Sequence, residues 1–188
     1  MYKLCKTEQS AVRQRGLELG LLEVMESRHF DEISVSDLCD WLHVPRKSFY
    51  RYFSGKDGIL HALIDHTLME YDQSSGWLPG RERTVQMELE NLCQFWKGQK
   101  RLLDALERSG LSGVLVERAI ANTMTVTGLR RGEERKQLLT VPEHTALFIS
   151  CGLMSMIIQW HHGGYALSVE RMAGIACRVL TKPLLTEK

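Results

Sequence analysis

The five cysteines (Cys5, Cys39, Cys93, Cys151 and Cys177) are odd in number and contain no CxxC pair. That argues against a disulfide or zinc framework and fits reduced thiols in a cytosol. The chain has no apolar run of 18 residues, and its first residues lack the apolar stretch of a signal peptide. The expectation is therefore a soluble, cytoplasmic protein with no membrane partner. Net charge is only +1, so bulk charge does not announce a polyanion. GxSxG, HExxH, P-loop and dinucleotide fingerprints are all missing, so neither an enzyme nor a cofactor is expected. His161 and His162 are adjacent and point apart on a helix, with no Cys, Asp or Glu at ligand spacing, so no metal site is expected either. A helical enzyme using Cys93 or Cys151 as nucleophile is the remote alternative. Both cysteines read instead as small buried hydrophobes.

What the chain does have is 188 residues with 44% hydrophobic content, enough for one large domain or two small ones. Its organising stretch is Ser34 to Asp57, SVSDLCDWLHVPRKSFYRYFSGKD. Ser34 with Asp37 three residues on is a capping-box-like helix start. Val35, Leu38 and Leu42 follow at helical spacing. Pro45 ends that helix, because a proline drives the residue before it out of the α region, and suits the start of the next. Phe49 and Phe53 stand one turn apart and face the same way. Ser54 and Asp57 repeat the capping pattern. Two helices across a three-residue turn form a helix-turn-helix, whose second helix can enter a DNA major groove.

The second helix has the composition of a DNA reader. Arg46, Lys47, Arg51 and Lys56 are its cations, and no acid lies between Arg46 and Lys56. Residues 1–66 as a whole hold nine Lys/Arg against ten Asp/Glu, so the basic surface must be local, and binding must rely on a dimer. The spacing places Arg46, Lys47 and Ser48 nearest base edges, with Arg51 also on the DNA side. Tyr50, Tyr52, Lys56, Ser34 and Ser36 are expected nearest phosphates.

This stretch resembles the TetR/AcrR-type transcriptional regulators. The residues that carry the likeness are Phe30, Ser34-Val35, Leu38, Val44-Pro45, Tyr50-Arg51-Tyr52-Phe53 and Lys56-Asp57, within a match of roughly residues 12 to 66. Three positions depart from the pattern: His29 and His43 stand where the family usually has glycine, and Pro45 where it usually has serine. Histidine tolerates a left-handed turn, so His43 is a strained position and not a contradiction. The loss of the serine removes one cap or phosphate contact. The resemblance implies a double-stranded DNA operator as partner, a homodimer built on the last two long helices, and a cavity for a small-molecule effector. A regulator of the same fold governed by a protein partner, or by no ligand, is the alternative.

Taken in order, residues 1–10 read as a frayed tail more readily than as a DNA-touching arm. A first helix from about Gln9 to Arg28 carries Val12, Gly16, Leu19, Leu22 and Met25 at helical spacing, the face expected to pack on Phe49 and Phe53. Helix four, 57–73, connects a DNA-binding domain of residues 1–56 to an effector-binding and dimerising domain of residues 74–188. Ser74 to Gly80, SSGWLPG, is the clearest break. Helices follow over 81–97, 99–108 and 111–130, the last despite a strand-like TMTVT run. RRGEERKQ at 130–137 is read as a solvated loop, and Thr140 with Glu143 as a capping box. The final helices run to Trp160 and from Ser168, and Leu147, Cys151, Met154, Ile158, Met172, Ala176 and Val179 are the expected dimer residues. Candidate effector residues are Met69, Met87, Cys93, Trp96, Asn122 and Met124. The fold class expected is all-α with about nine helices.

Overall fold

The computed structural model describes residues 1–3, 5, 7–74, 84–129 and 143–182, without the side chains of 124–129 and 143. Among these the regular elements are α1 (Glu8–Met25), a 3-10 turn (Phe30–Glu32), α2 (Val35–Trp41), α3 (Arg46–Tyr52) and α4 (Lys56–Ser74). They continue with α5 (Val85–Gly98), α6 (Lys100–Arg108), α7 (Ser112–Leu129), α8 (Glu143–His162) and α9 (Val169–Thr181). The protein is all-α, as expected. Extended pairing among the described residues is confined to one antiparallel bridge, Tyr2 with Phe53. The TMTVT run is helical: with no strand to pair with among the described residues, helix is the state that satisfies its backbone groups. The SSGWLPG stretch beyond Ser74, the RRGEERKQ loop, the Thr140 cap and the Met124 side chain lie outside what is described.

The chain forms two compact units. The first is Met1–Leu68 with Arg101–Val114, the second Met69–Lys100 with Leu115–Lys188. One boundary falls inside α4. Nearly all of α6 belongs to the first unit, although the sequence reading groups residues 99–108 with the second domain. Its side chains show why. Arg108 Nη1 donates to the Met25 carbonyl at 3.0 Å and also to that of Glu26, carbonyls left open at the end of α1. Arg101 pairs with Glu26, and Ser109 Oγ accepts from the Phe30 amide at 3.1 Å.

The buried face of α1 departs from the expected one. Val12 and Gly16 point to solvent, Val12 being 67% exposed, and Leu19 is also exposed. Leu22 and Met25 are inside as expected, and with them are Gln14, Leu17, Glu18, Leu21 and Val24. Two polar residues hold core positions: Glu18 is met by His66 and Arg15, whereas Gln14 is met only at Oε1 and its Nε2 is left without a partner among the described residues. His66 Nδ1 lies 2.9 Å from both Glu18 carboxylate oxygens, Arg15 Nη1 donates to Glu18 at 3.1 Å, and the Cys5 thiol reaches Gln14 Oε1 at 2.7 Å. A buried carboxylate is tolerated only with such partners.

In the second unit α5 turns Leu89, Leu92, Cys93 and Trp96 inward and packs against α9 and α8. Ser168 caps α9, its Oγ accepting from the Arg171 amide at 3.3 Å. His161 is buried and His162 exposed, as adjacent helical positions require. No described helix is long and apolar enough to cross a membrane.

Candidate nucleic-acid interface

α2 begins at a full capping box. Ser34 Oγ accepts from the Asp37 amide at 3.1 Å, and the Ser34 amide donates to Asp37 Oδ2 at 2.9 Å. Hydrogen bonding from the Ser34 hydroxyl and from the Ser34 amide holds the Asp37 carboxyl below the usual carboxylate range. Arg28 Nη2 stands 3.9 Å from the same carboxylate.

The turn that follows is a Schellman motif. Val44 N–H donates to the Cys39 carbonyl at 2.9 Å and His43 N–H to that of Asp40 at 3.2 Å. His43 sits at φ 52, in the left-handed region where glycine is the usual occupant. Pro45, at φ −61, is the N-cap of α3 and offers no side-chain cap. Its carbonyl accepts from the Ser48 amide at 2.8 Å. α3 therefore starts one residue after the proline and spans Arg46 to Tyr52, the span expected from sequence.

Phe49 and Phe53 are buried with ring centroids 5.2 Å apart. They hold α3 by one face, and the opposite face presents Arg46, Lys47, Tyr50 and Arg51 to solvent, with Ser48 half-buried. Of the residues expected at phosphates, Ser34 is exposed but its hydroxyl serves the cap, and Ser36 is half-buried. Tyr52 is only 5% exposed, its ring inside the core. The Lys56 ammonium is engaged within the fold: it donates to the Phe30 carbonyl at 3.0 Å and that of Asp31 at 3.2 Å, and lies 4.7 Å from the Phe30 ring centroid. It closes the 3-10 turn's carbonyls, a role that sequence spacing could not reveal because the acceptors lie 25 and 26 residues earlier.

Two features were missed. Trp41, 60% exposed at the end of α2, reads in sequence as one more apolar helical residue. The first three residues are not a frayed tail: they pair with Tyr52 to Ser54 directly after α3. Gly58 inside α4 is the signal that could have found them, since a side chain there would meet Met1.

Among the candidate effector residues, Cys93 and Trp96 are fully buried on α5, while Met69 and Met87 are exposed. Asn122 Nδ2 donates to Asp72 Oδ2 at 3.1 Å. Burial pushes the Cys93 thiol up to about 11, so it is protonated at neutral pH and poorly suited to attack. Of the expected dimer residues, Val179 is exposed and Leu147, Cys151 and Ile158 are half-buried. Met154, Met172 and Ala176 are buried within the chain itself. No cluster of described residues has the His, Cys, Asp and Glu content of a metal site.

The capped helix, Schellman turn and basic second helix define a helix-turn-helix protein. Residues 20–63 match the family model described as bacterial regulatory proteins, tetR family. No curated protein matches the sequence. The fatty acid degradation regulator FadR of Bacillus halodurans is similar in fold, with 13% identity, TM-score 0.62, and 96% of this chain and 98% of that one covered. A TetR transcriptional regulator of Streptococcus agalactiae gives 14% identity and TM-score 0.59, covering 93% and 96%. The TetR family repressor AlkX of Dietzia gives 16% and 0.56, covering 87% and 90%. The chain has the fold of a TetR-family DNA-binding transcriptional regulator, with that family's helix-turn-helix region in its first unit.

Proposed function

We propose that the protein represses transcription by binding a near-palindromic operator as a homodimer, and that a small-molecule effector releases it. The observation that carries the DNA half is α3. Four large side chains able to donate hydrogen bonds (Arg46, Lys47, Tyr50 and Arg51) share its exposed face, with no acid on the helix. On DNA the recognition helices of the two protomers stand ~34–36 Å apart, one helical turn.

The effector half is supported by Trp96. Its indole N–H is fully buried and has no hydrogen-bond partner among the described residues. A buried donor left open is costly unless something accepts from it, and a small molecule bearing a carbonyl or carboxylate would do so. The burial of Cys93 and Trp96 also favours a second reading, in which a packed second unit answers to a protein partner or to no ligand. Ligand bound in the second unit would act through α4, the helix in which the units divide at Leu68 and Met69. Its coupling to DNA would be reciprocal, ~1–3 kcal/mol or roughly 5- to 150-fold.

The test of the DNA half is footprinting of the promoters beside the protein's own gene. A protected palindrome is expected, and Lys47→Ala should alter base preference within it. Uniform weakening at all sequences would move Lys47 to the phosphates, and no protection anywhere would end the operator reading. Titration of any ligand found, with and without operator, tests the switch. An affinity that saturating operator leaves unchanged would show that α4 carries no signal.

A further inference from the structure

Met1 to Lys3 run as a short extended strand against the backbone that leaves α3. Lys3 N–H donates to the Tyr52 carbonyl at 2.9 Å, and Ser54 N–H donates to that of Met1 at 3.0 Å. Ser54 Oγ donates to the same Met1 carbonyl at 2.7 Å. The Tyr2 hydroxyl donates to Asp65 Oδ2 on α4 at 2.9 Å, and its ring lies edge-on to His66 with centroids 5.5 Å apart.

The seat for this strand is built into α4. A Cβ added at Gly58 would stand 2.5 Å from the Met1 carbonyl oxygen, closer than any side chain permits. Glycine weakens a helix interior, and the approach of Met1 is the packing reason for one here. Extended residues alternate sides: with Tyr2 turned to α4, Lys3 is turned away from it, and Lys3 is exposed.

We propose that residues 1–3 belong to the DNA-binding surface, as a clasp holding the Lys3 ammonium for a backbone phosphate at the lip of the groove that α3 enters. This rests on the reading of α3 as the DNA reader. Lys3 is bonded to the last residue of α3, so it is carried wherever that helix docks. A recognition helix seated in a major groove has its flanking backbone beside the phosphate walls. A lysine on its flexible stem supplies a point cation there without needing fixed geometry. The contact is with the phosphate backbone, so it adds affinity and not sequence preference.

The experiment is a salt titration of the full chain with short random-sequence DNA duplexes, which report phosphate contacts alone. Lys3→Ala is expected to lower the slope of log K against log salt by about 0.9 per protomer, with the melting temperature unchanged, and Lys3→Arg to keep the wild-type slope. Gly58→Ala should unseat the clasp, so that adding Lys3→Ala to it changes the slope by less than half as much as in the wild type. Tyr2→Ala serves the same purpose if Gly58→Ala does not fold. A wild-type slope for Lys3→Ala overturns the clasp, and so does an undiminished effect of Lys3→Ala in the unseated background. Arg46→Ala and Lys47→Ala separate the two levels. If they lower the slope while Lys3→Ala does not, the clasp alone fails. If none of the three matters, the reading of α3 fails with it.

Discussion

The helix-turn-helix and the α8–α9 pair each turn one face inward, yet they leave different chemistry outside. From Ser34 to Lys56 the large apolar side chains Leu38, Phe49 and Phe53 are buried; on α3 the fully exposed side chains are all cationic or carry a hydroxyl, while α2 exposes Asp37, Asp40 and Trp41. On α8 the outward side holds Phe148, 75% exposed, with Gly152 and Ser155, and on α9 it holds Val179. A surface of Arg, Lys and Tyr suits a polyanion. An apolar stripe with small residues suits another protein surface, and in our reading that surface is a second copy. In that reading the outward chemistry, more than the fold of either part, separates the two partners.

The largest test of this comparison is Phe49→Ala. Phe49 is the buried anchor of α3, so the variant should lose about 3–5 kcal/mol of stability in the first unit and with it DNA binding. Denaturant unfolding followed by a binding assay checks this. A variant that unfolds like wild type would mean that α3 is held by something other than its aromatic face.

Next is Glu18→Gln. Glu18 has no exposed surface and is held by His66 and Arg15, so removing its charge should cost about 3 kcal/mol or somewhat more. Unfolding curves at neutral pH are the measurement. A loss well under 1 kcal/mol would show that α1 owes its orientation to Leu17 and Leu21 alone.

Phe148→Asp sharpens the contrast from the other side. It should leave the fold intact, since Phe148 touches little within the chain, but weaken self-association at least tenfold in sedimentation, about 1.4 kcal/mol or more. If the dimer survives unchanged, the apolar stripe of α8 faces something else.

The smallest effect is expected from Ser34→Ala, about 1 kcal/mol from the lost N-cap. It also has a pH signature. The cap lowers the Asp37 pKa from its ordinary 3.8, so the carboxylate's stabilisation is present above that value and lost as pH falls through the lower folded-state value. The gap between wild type and variant should therefore narrow below about pH 3.8. A gap independent of pH would remove Asp37 from the cap's energetics.

How much of this was legible depended on how far the partners lie along the chain. Ser34 and Asp37 are three residues apart, and His43 and Pro45 act on their own backbone, so α2, its turn and the limits of α3 could be read directly. α1 misled for the opposite reason. Val12, Gly16 and Leu19 have helical spacing, yet the helix turns Glu18 inward because His66 and Arg15 complete it, and Gln14 goes in beside it with only its Oε1 met, by Cys5. His66 lies 48 residues from Glu18, and periodicity weighs a glutamate as outward when its partner is out of sight. Lys56 was illegible for the same reason: its hydrogen bonds to the carbonyls of Phe30 and Asp31 join residues far apart in the sequence. At the other end, Met154, Met172 and Ala176 have the spacing of a dimer face and are already buried within the single chain.

By itself, then, the sequence determined the helical class, the capped helix-turn-helix with its basic second helix, and the absence of any catalytic fingerprint. Each of these is written in residues a few positions apart. The tertiary structure alone decided which face of α1 is inside, that Lys56 bonds to the 3-10 turn, that residues 1–3 are seated against Gly58, and which side of α8 is exposed among the described residues. Those outcomes depend on what arrives from elsewhere in the chain to satisfy a buried polar group or cover an apolar one.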